Sequence, residues 1–301
     1  MRINFRTTSV AAGALALAVG IAGCSSSDDT GSEPAASGTA AAIAKDDALA
    51  ALVPAEVAAD GVLTIGTDAS YAPGQFLDVD GETIIGFDVD LAKAVAQVLG
   101  LEAQMENAPF GSLVEGVKTG KYELGASSFT INAERQLQVD MVSYFLAGTS
   151  WAVATGNPMQ ITPDDACGKV VAVQRDTVQV ADIEARSQAC VDAGKPEITI
   201  EQFQAQSDAT AAVVTGKDDA MLADSPVVAY AIAQTGGKLE QVGEIYEAAP
   251  YGYAVPKDQG DYTQAVQGAV QKLIEDGTYL DILTLWGVQG GAVTTSEVNP
   301  A

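Results

Sequence analysis

From Gly61 onward the chain alternates two hydrophobic periods. "GVLTIGT" (61–67) is a β-branched, apolar run entered from a glycine, which predicts a strand. "FDVDLAKAVAQVLG" (87–100) puts Leu91, Val95, Val98 and Leu99 on one helical face. Asp88 stands where a cap belongs, and Gly100 where the helix must stop. A strand near 102–107, a helix from about Gly111 to Thr119 and the strand "YELGASS" follow, and then a helix whose early turns carry Arg135.

The second half repeats the plan. "CGKVVAVQ" (167–174) reads as a strand, Val178 to Cys190 as a helix, "EITIEQF" as a strand, Ser207 to Val214 as a helix and "DDAMLAD" as a strand. "TGKYELGASS" (119–128) matches "TGKDDAMLAD" (215–224): a helix end, a Thr-Gly-Lys turn and a strand ending in a polar residue. This alignment makes Ser128 and Asp224 equivalent positions. Strand–helix alternation predicts βαβ units, hence an α/β protein of two lobes, each a mainly parallel sheet flanked by helices. Two strand-like crossings, "SWAVATGNP" (150–158) and "YGYAVPKD" (251–258), would carry the chain between lobes and back. Asp261–Glu275 and Tyr279–Leu285 close the pattern as helices.

The N-terminus breaks the pattern. Arg2 and Arg6 precede an apolar run from Val10 to Ala22, too short to span a bilayer comfortably. A charged start, a short apolar core and small residues describe a secretory signal over 1–23. Ile21-Ala22-Gly23-Cys24 resembles a lipobox, which implies cleavage before Cys24 and lipid on that cysteine. Residues 24–48 are rich in Ser, Asp, Gly, Ala and Thr and predict a flexible stalk. The organisation expected is lobe 1 over 49–154, lobe 2 over 155–250, a return to lobe 1 over 251–288 and a tail over 289–301. The destination is the outer face of the cell membrane, by a lipid anchor.

Charge and composition narrow the function. The chain carries 15 Lys+Arg against 40 Asp+Glu, a formal charge of −25, which excludes nucleic acid as a partner. It has no histidine, so Ser-His-Asp and Cys-His nucleophile arrangements are absent and the commonest zinc ligand is missing. No metal or cofactor is expected. Cys167 and Cys190, the cysteines left beside Cys24, predict one disulfide in an exported chain.

Ligands of open α/β sheets sit beyond the carboxyl ends of strands. Those ends hold Asp68, Ser70 and Tyr71, then Ser127 and Ser128, then Gln174 to Thr177, then Asp224; Thr130 and Arg135 lie close by. One guanidinium, two carboxylates, several hydroxyls and an aromatic suit a small zwitterion. By pattern alone, Arg135 reads first as a solvated arginine paired with Glu134 or Asp140, and Asp224 could equally be a helix cap. Asp88 and Asp90 read as helix-start acids rather than a metal motif.

The ordered motifs "GTDASYAP", "GFDVDLAKAVAQVLG", "KTGKYELGASSFTINAERQLQVD", "GKVVAVQRDT", "DDAMLADSP", "YGYAVPK" and "EDGTYLDIL" resemble family 3 of the bacterial extracellular solute-binding proteins. The resemblance runs from about Gly61 to Trp286. It implies a two-lobed, type II periplasmic-binding-protein-like hinge fold with two crossover strands. It further implies a monomeric receptor that is not an enzyme, closes on a polar L-amino acid and serves an ABC permease with its ATPase subunits. Carried over, Arg135 with Thr130, Ser128 and Thr177 would take the α-carboxylate, Asp224 the α-ammonium, and Ser127 would belong to the same ligand site. Tyr71 and Phe110 would be aromatic walls, and Asp68 and Gln174 would read the side chain. Pro73-Gly74 and Asp176 depart from the family pattern, the first removing an apolar wall and the second placing a non-glycine in the lobe-2 loop. The alternatives are an exported enzyme on the same hinge fold, such as a cyclohexadienyl or arogenate dehydratase, and a sensor that signals its closed form.

Overall fold

A computed structural model describes residues 43–300. The signal segment, Cys24 and most of the expected stalk lie outside them. The elements are α1 (Asp47–Ala50), β1 (Val62–Thr67), β2 (Ser70–Tyr71), β3 (Gln75–Leu77), β4 (Ile84–Ile85), α2 (Phe87–Leu99), β5 (Glu102–Asn107), α3 (Leu113–Lys118), β6 (Leu124–Thr130) and α4 (Ala133–Gln138). They continue as β7 (Asp140–Ala154), β8 (Val170–Gln174), α5 (Val178–Asp192), β9 (Thr199–Phe203), α6 (Gln206–Val214), β10 (Ala220–Asp224), α7 (Ser225–Gln234), β11 (Leu239–Val255), α8 (Tyr262–Asp276) and α9 (Thr278–Leu285).

The expected α/β alternation is present, with one topological refinement. The parallel trio β5-β1-β6 and the parallel trio β10-β8-β9 are joined through β11 and β7, two long antiparallel strands, into one eight-stranded sheet. The two sheets expected from sequence are therefore continuous through the crossing strands. Within β7 the edge partner changes near Gly148, because Thr149–Val153 already pair with β10. Opposite it, β11 is bulged between Val242 and Ala249. A bulged, glycine-bearing pair of strands is where two halves of a sheet can bend against each other.

Each half buries apolar clusters on both faces of its sheet, as helix-covered parallel strands require. In lobe 1, Leu63, Ile65, Leu124 and Ala126 face α2 and α8, while Leu113, Val117, Tyr122 and Phe129 fill the other side. In lobe 2 the strand period of two is visible residue by residue: Trp151 and Val153 enter one cluster, and Ala152 between them enters the other.

Some local expectations hold and others change. Gly100 ends α2 in the left-handed region, φ 76°, as a helix C-terminus favours. Gly86, not Asp88, holds the N-cap position, and the Asp88 carboxylate turns inward to the Ser128 amide, 2.7 Å away. The fold also begins ahead of Leu49: the Asp46 side chain caps α1, and its amide donates to the Val98 carbonyl at 2.8 Å. The tail beyond residue 289 packs on lobe 1, with Ser296 buried. Cys167 and Cys190 form a disulfide that ties the start of β8 to α5.

Candidate functional site

The strand ends converge as the topology demands. Tyr71, Phe110, Ser127, Ser128, Thr130 and Arg135 from lobe 1 meet Gln174, Thr177 and Asp224 from lobe 2 around one narrow cavity. Its volume is about 10 Å³, room for about one water. A groove of about 470 Å³ lies elsewhere, between Pro73, Tyr230 and Trp286, but no charged side chain lines it.

Arg135 sits on the six-residue α4, entered through Asn132, whose side chain accepts from the Arg135 amide. Only 9% of the residue is exposed. Its guanidinium donates to the Thr130 carbonyl at 2.7 Å and to the Asp176 carbonyl of the other lobe at 3.4 Å. It also lies over the rings of Phe110 and Phe129, at 5.2 and 5.7 Å. Burial lowers its pKa to about 10, with Asp224 opposing the shift, so it stays charged at neutral pH. No ion pair to Glu134 or Asp140 forms among the described residues.

Asp224 ends β10 and precedes α7, yet its side chain makes no cap bond. Its carboxylate instead accepts from the hydroxyls of Tyr71 (2.8 Å) and Tyr251 (2.7 Å) and from Gln179 Nε2 (2.8 Å). Burial pushes its pKa up, and the three donors and Arg135 pull it back. Asp68 stands one bond behind the cavity wall. Its carboxylate accepts from the Phe110 amide (2.9 Å) and from Gln174 Nε2 (3.0 Å), and it is only 6% exposed. Burial raises its pKa against those donors and Ser70.

The hydroxyls are held from behind. Ser127 Oγ accepts from the Asp68 amide and from Gln75. Ser128 is left-handed, φ 50°, and is fixed there by its amide bond to Asp88. Thr177 Oγ1 donates to the Gln174 carbonyl, just ahead of the first turn of α5. Both departures from the family pattern have a physical account. A side chain at Gly74 would meet Ser128 Oγ at 2.8 Å, so no larger wall fits there. Asp176 takes the left-handed backbone itself, φ 65°, which aspartate tolerates better than most residues. Its carboxylate then covers Gly111 of lobe 1, where any Cβ would lie 2.2 Å away.

Gln179 and Tyr251 were not expected, and both hold Asp224. Tyr251 had a readable signal, since it heads the run "YGYAVPKD" that marks a crossing in the sequence; in the structure it lies within β11, opposite Thr130. Gln179 had none, because a glutamine in a first helical turn is ordinarily solvated. Among the described residues no group of His, Cys, Asp and Glu could hold a metal ion.

A two-lobed α/β hinge fold with a charged pocket at the convergent strand ends defines a receptor-like architecture. The bacterial extracellular solute-binding proteins, family 3, match residues 63–289, and this chain belongs to that family. The arginine-binding protein ArgT of Corynebacterium glutamicum is 40% identical over 250 residues, covering 83% of this chain and 82% of that protein. The ABC transporter glutamine-binding protein GlnH of Bacillus subtilis is 28% identical over 207 residues, 67% of this chain and 72% of that one. Among solved structures, an ancestral arginine-binding protein bound to arginine superposes with a TM-score of 0.69 at 30% identity, covering 75% of this chain and 98% of that chain.

Proposed function

We propose that this protein is the lipid-anchored receptor of an ABC importer and that its ligand is a basic L-amino acid, arginine foremost. The observation that carries the reading is the charge of the site. Arg135 is the one buried guanidinium on the cavity and faces the field of Asp224. Asp68 behind the wall and Asp88 behind Ser128 are also buried, so the carboxylates outnumber the cation and the site carries excess negative charge. The complement is a zwitterion with a cationic side chain. Arg135, with the hydroxyls of Ser127, Ser128, Thr130 and Thr177 around it, would take the α-carboxylate as a bidentate pair. Asp224 would take the α-ammonium. The ligand guanidinium would displace the Gln174 amide, which now supplies Asp68 with a donor at 3.0 Å, and lie between Tyr71 and Phe110. That ArgT is an arginine-binding protein supports the same ligand.

Binding and closure are one event in this scheme. The cavity of about 10 Å³ cannot admit an amino acid until the lobes part. Arg135 and Thr130 belong to one lobe, Thr177 and Asp224 to the other, so the ligand satisfies all of them only when the cleft shuts. Its differential affinity for the closed form drives the transition. Micromolar binding needs about −8 kcal/mol. Two or three charge-assisted bonds of ~1.5–3 kcal/mol each, with aromatic burial, reach that after the costs of ordering.

Calorimetry on the folded body from Ile43 onward, stripped of carried ligand by unfolding and refolding, tests the reading. Arginine and lysine should bind, and citrulline, which keeps the shape of arginine without its charge, should bind at least about tenfold more weakly. Arg135→Ala should cost about 2–5 kcal/mol of arginine binding. Citrulline binding as well as arginine would refute the charge argument. Turnover of a cyclohexadienyl acid would refute the receptor role.

A further inference from the structure

β7 has two different neighbours along the edge that faces away from β11. Its second half pairs with β10. Beside its first half runs the C-terminal segment, past the last residue of the family match. The Ser143 amide donates to the Glu297 carbonyl (2.9 Å), the Glu297 amide to Ser143 Oγ (2.8 Å), and Ser296 Oγ to the Ser143 carbonyl (2.7 Å). The Asn299 amide donates to the Met141 carbonyl (2.7 Å), and Asn299 Oδ1 accepts from the Met141 amide (2.8 Å). Its Nδ2 donates to Asp140 at 3.0 Å, and Val298 bridges Val142. The segment thus fills a strand position that would otherwise leave β7 with an open edge.

Both ends of this segment are fastened. At its root the Val293 amide donates to the Tyr279 hydroxyl, the Ser296 amide to Gln271, and Gln267 to the Ser296 carbonyl, tying it to α8 and α9. At its far end Gln136 Nε2 donates to the Pro300 carbonyl at 2.8 Å. Gln136 follows Arg135 on α4. A helix of six residues has little stability of its own, and its place is set by what holds its ends. Asn132 holds the start of α4. The end runs directly into Asp140–Ser143, the residues that the C-terminal segment secures.

We infer that residues 293–300 are a strap that positions Arg135, by fixing Gln136 and the start of β7, and so sets the affinity for the ligand's carboxylate. The inference rests on the reading of Arg135 as the carboxylate partner. A displacement of about 1 Å at a bidentate guanidinium is enough to cost binding steeply. The strap residues touch no ligand; they are positioning residues.

The test compares L-arginine with L-argininamide, which lacks the carboxylate charge, by calorimetry. It uses the full mature chain, a chain ending at Ala292, and Asn299→Gly. Glycine keeps the left-handed backbone of residue 299, φ 48°, and removes only the side-chain bonds to Met141 and Asp140. In the full chain arginine should bind at least about thirtyfold more tightly than its amide. Truncation should cut that preference by about tenfold or more while leaving argininamide affinity within about twofold. Asn299→Gly should cut it by about three- to tenfold, the scale of one or two lost hydrogen bonds. Should truncation abolish folding, the Asn299→Gly result decides. A full chain that prefers arginine, with folded variants that keep that preference, overturns the strap alone. A full chain without the preference overturns the carboxylate role of Arg135, and the strap inference with it.

Discussion

The Tyr71 hydroxyl and the Asp224 carboxylate meet across the cleft at 2.8 Å, and the Asp224 amide donates back to the same hydroxyl at 3.1 Å. Tyr71 belongs to lobe 1 and Asp224 to lobe 2, so this pair is a clasp between lobes. Tyr71→Phe keeps the ring and removes both bonds, of which the one to the charged carboxylate is worth about 1.5–3 kcal/mol. The closed form should lose that stabilisation, and arginine affinity should fall about ten- to a hundredfold in calorimetry. Tighter binding by the variant would show instead that Tyr71 competes with the ligand ammonium for Asp224.

Asp68 gives the site a pH dependence whose sign is fixed. Burial holds its pKa above the ordinary carboxylate value in the free protein. A ligand guanidinium beside it would favour the ionised form and lower that pKa, so binding releases a proton in acid. Arginine affinity should therefore be full at neutral pH and fall as pH drops through the raised pKa of Asp68. Arg135, with a pKa of about 10, contributes nothing in that range. Asp68→Asn should shrink the acid limb, leaving the part that belongs to Asp224, whose pKa burial also raises, and abolish most of the preference for arginine over citrulline. Dissociation constants measured from neutral pH down to the acid limit of the folded state in both proteins decide it. An unchanged profile in the variant would remove Asp68 from the site.

What the sequence disclosed follows from which interactions are local. Gln174 and Asp224 were legible because they close the parallel strands β8 and β10, and Ser128 and Tyr71 because they lie near the carboxyl ends of β6 and β1, and parallel strands bring those ends together. The fused sheet was less so: β7 and β11 were visible only in part, since strands buried on both faces lack a clean alternation. Asp88 looked like a cap because it lies in the first turn of an apolar helix. Its true partner, Ser128, is forty residues away in sequence. The C-terminal segment "GAVTTSEVNP" carries no hydrophobic period at all. Its order comes from bonds such as Glu297 to Ser143, spanning 154 positions, which no local pattern can announce.

The disulfide should act on stability and leave the pocket alone. Cys167 and Cys190 are separated by 23 positions and lie away from the cavity-lining residues. On the chain-entropy account, a loop of that length contributes about 3 kcal/mol. Cys167→Ser with Cys190→Ser should lower the unfolding free energy by about that amount and change arginine affinity by less than about threefold. A large loss of affinity in the folded double variant would mean that the tie between β8 and α5 also sets the position of Thr177.

Asp88 should make the fold more stable in mild acid than at neutral pH. Its Oδ2 accepts from the Ser128 amide (2.7 Å), the Ser128 hydroxyl (3.3 Å) and the Tyr144 hydroxyl (2.8 Å), while Oδ1 has no partner among the described residues. Burial, opposed by those donors, raises its pKa from 3.8 to about 6. The folded state therefore binds this proton more tightly than the unfolded state does. The resulting stabilisation is fully present below the unfolded pKa and is lost as pH rises through about 6. Between pH 5 and pH 7 the loss from this group is about 1.4 kcal/mol. Asp88→Asn cannot titrate, so the unfolding free energy of the natural protein, relative to the variant, should drop by that amount over the same window. Urea denaturation of both proteins at the two pH values measures the difference. The same gap at pH 5 and pH 7 would mean that Asp88 is already protonated, or already solvated, throughout.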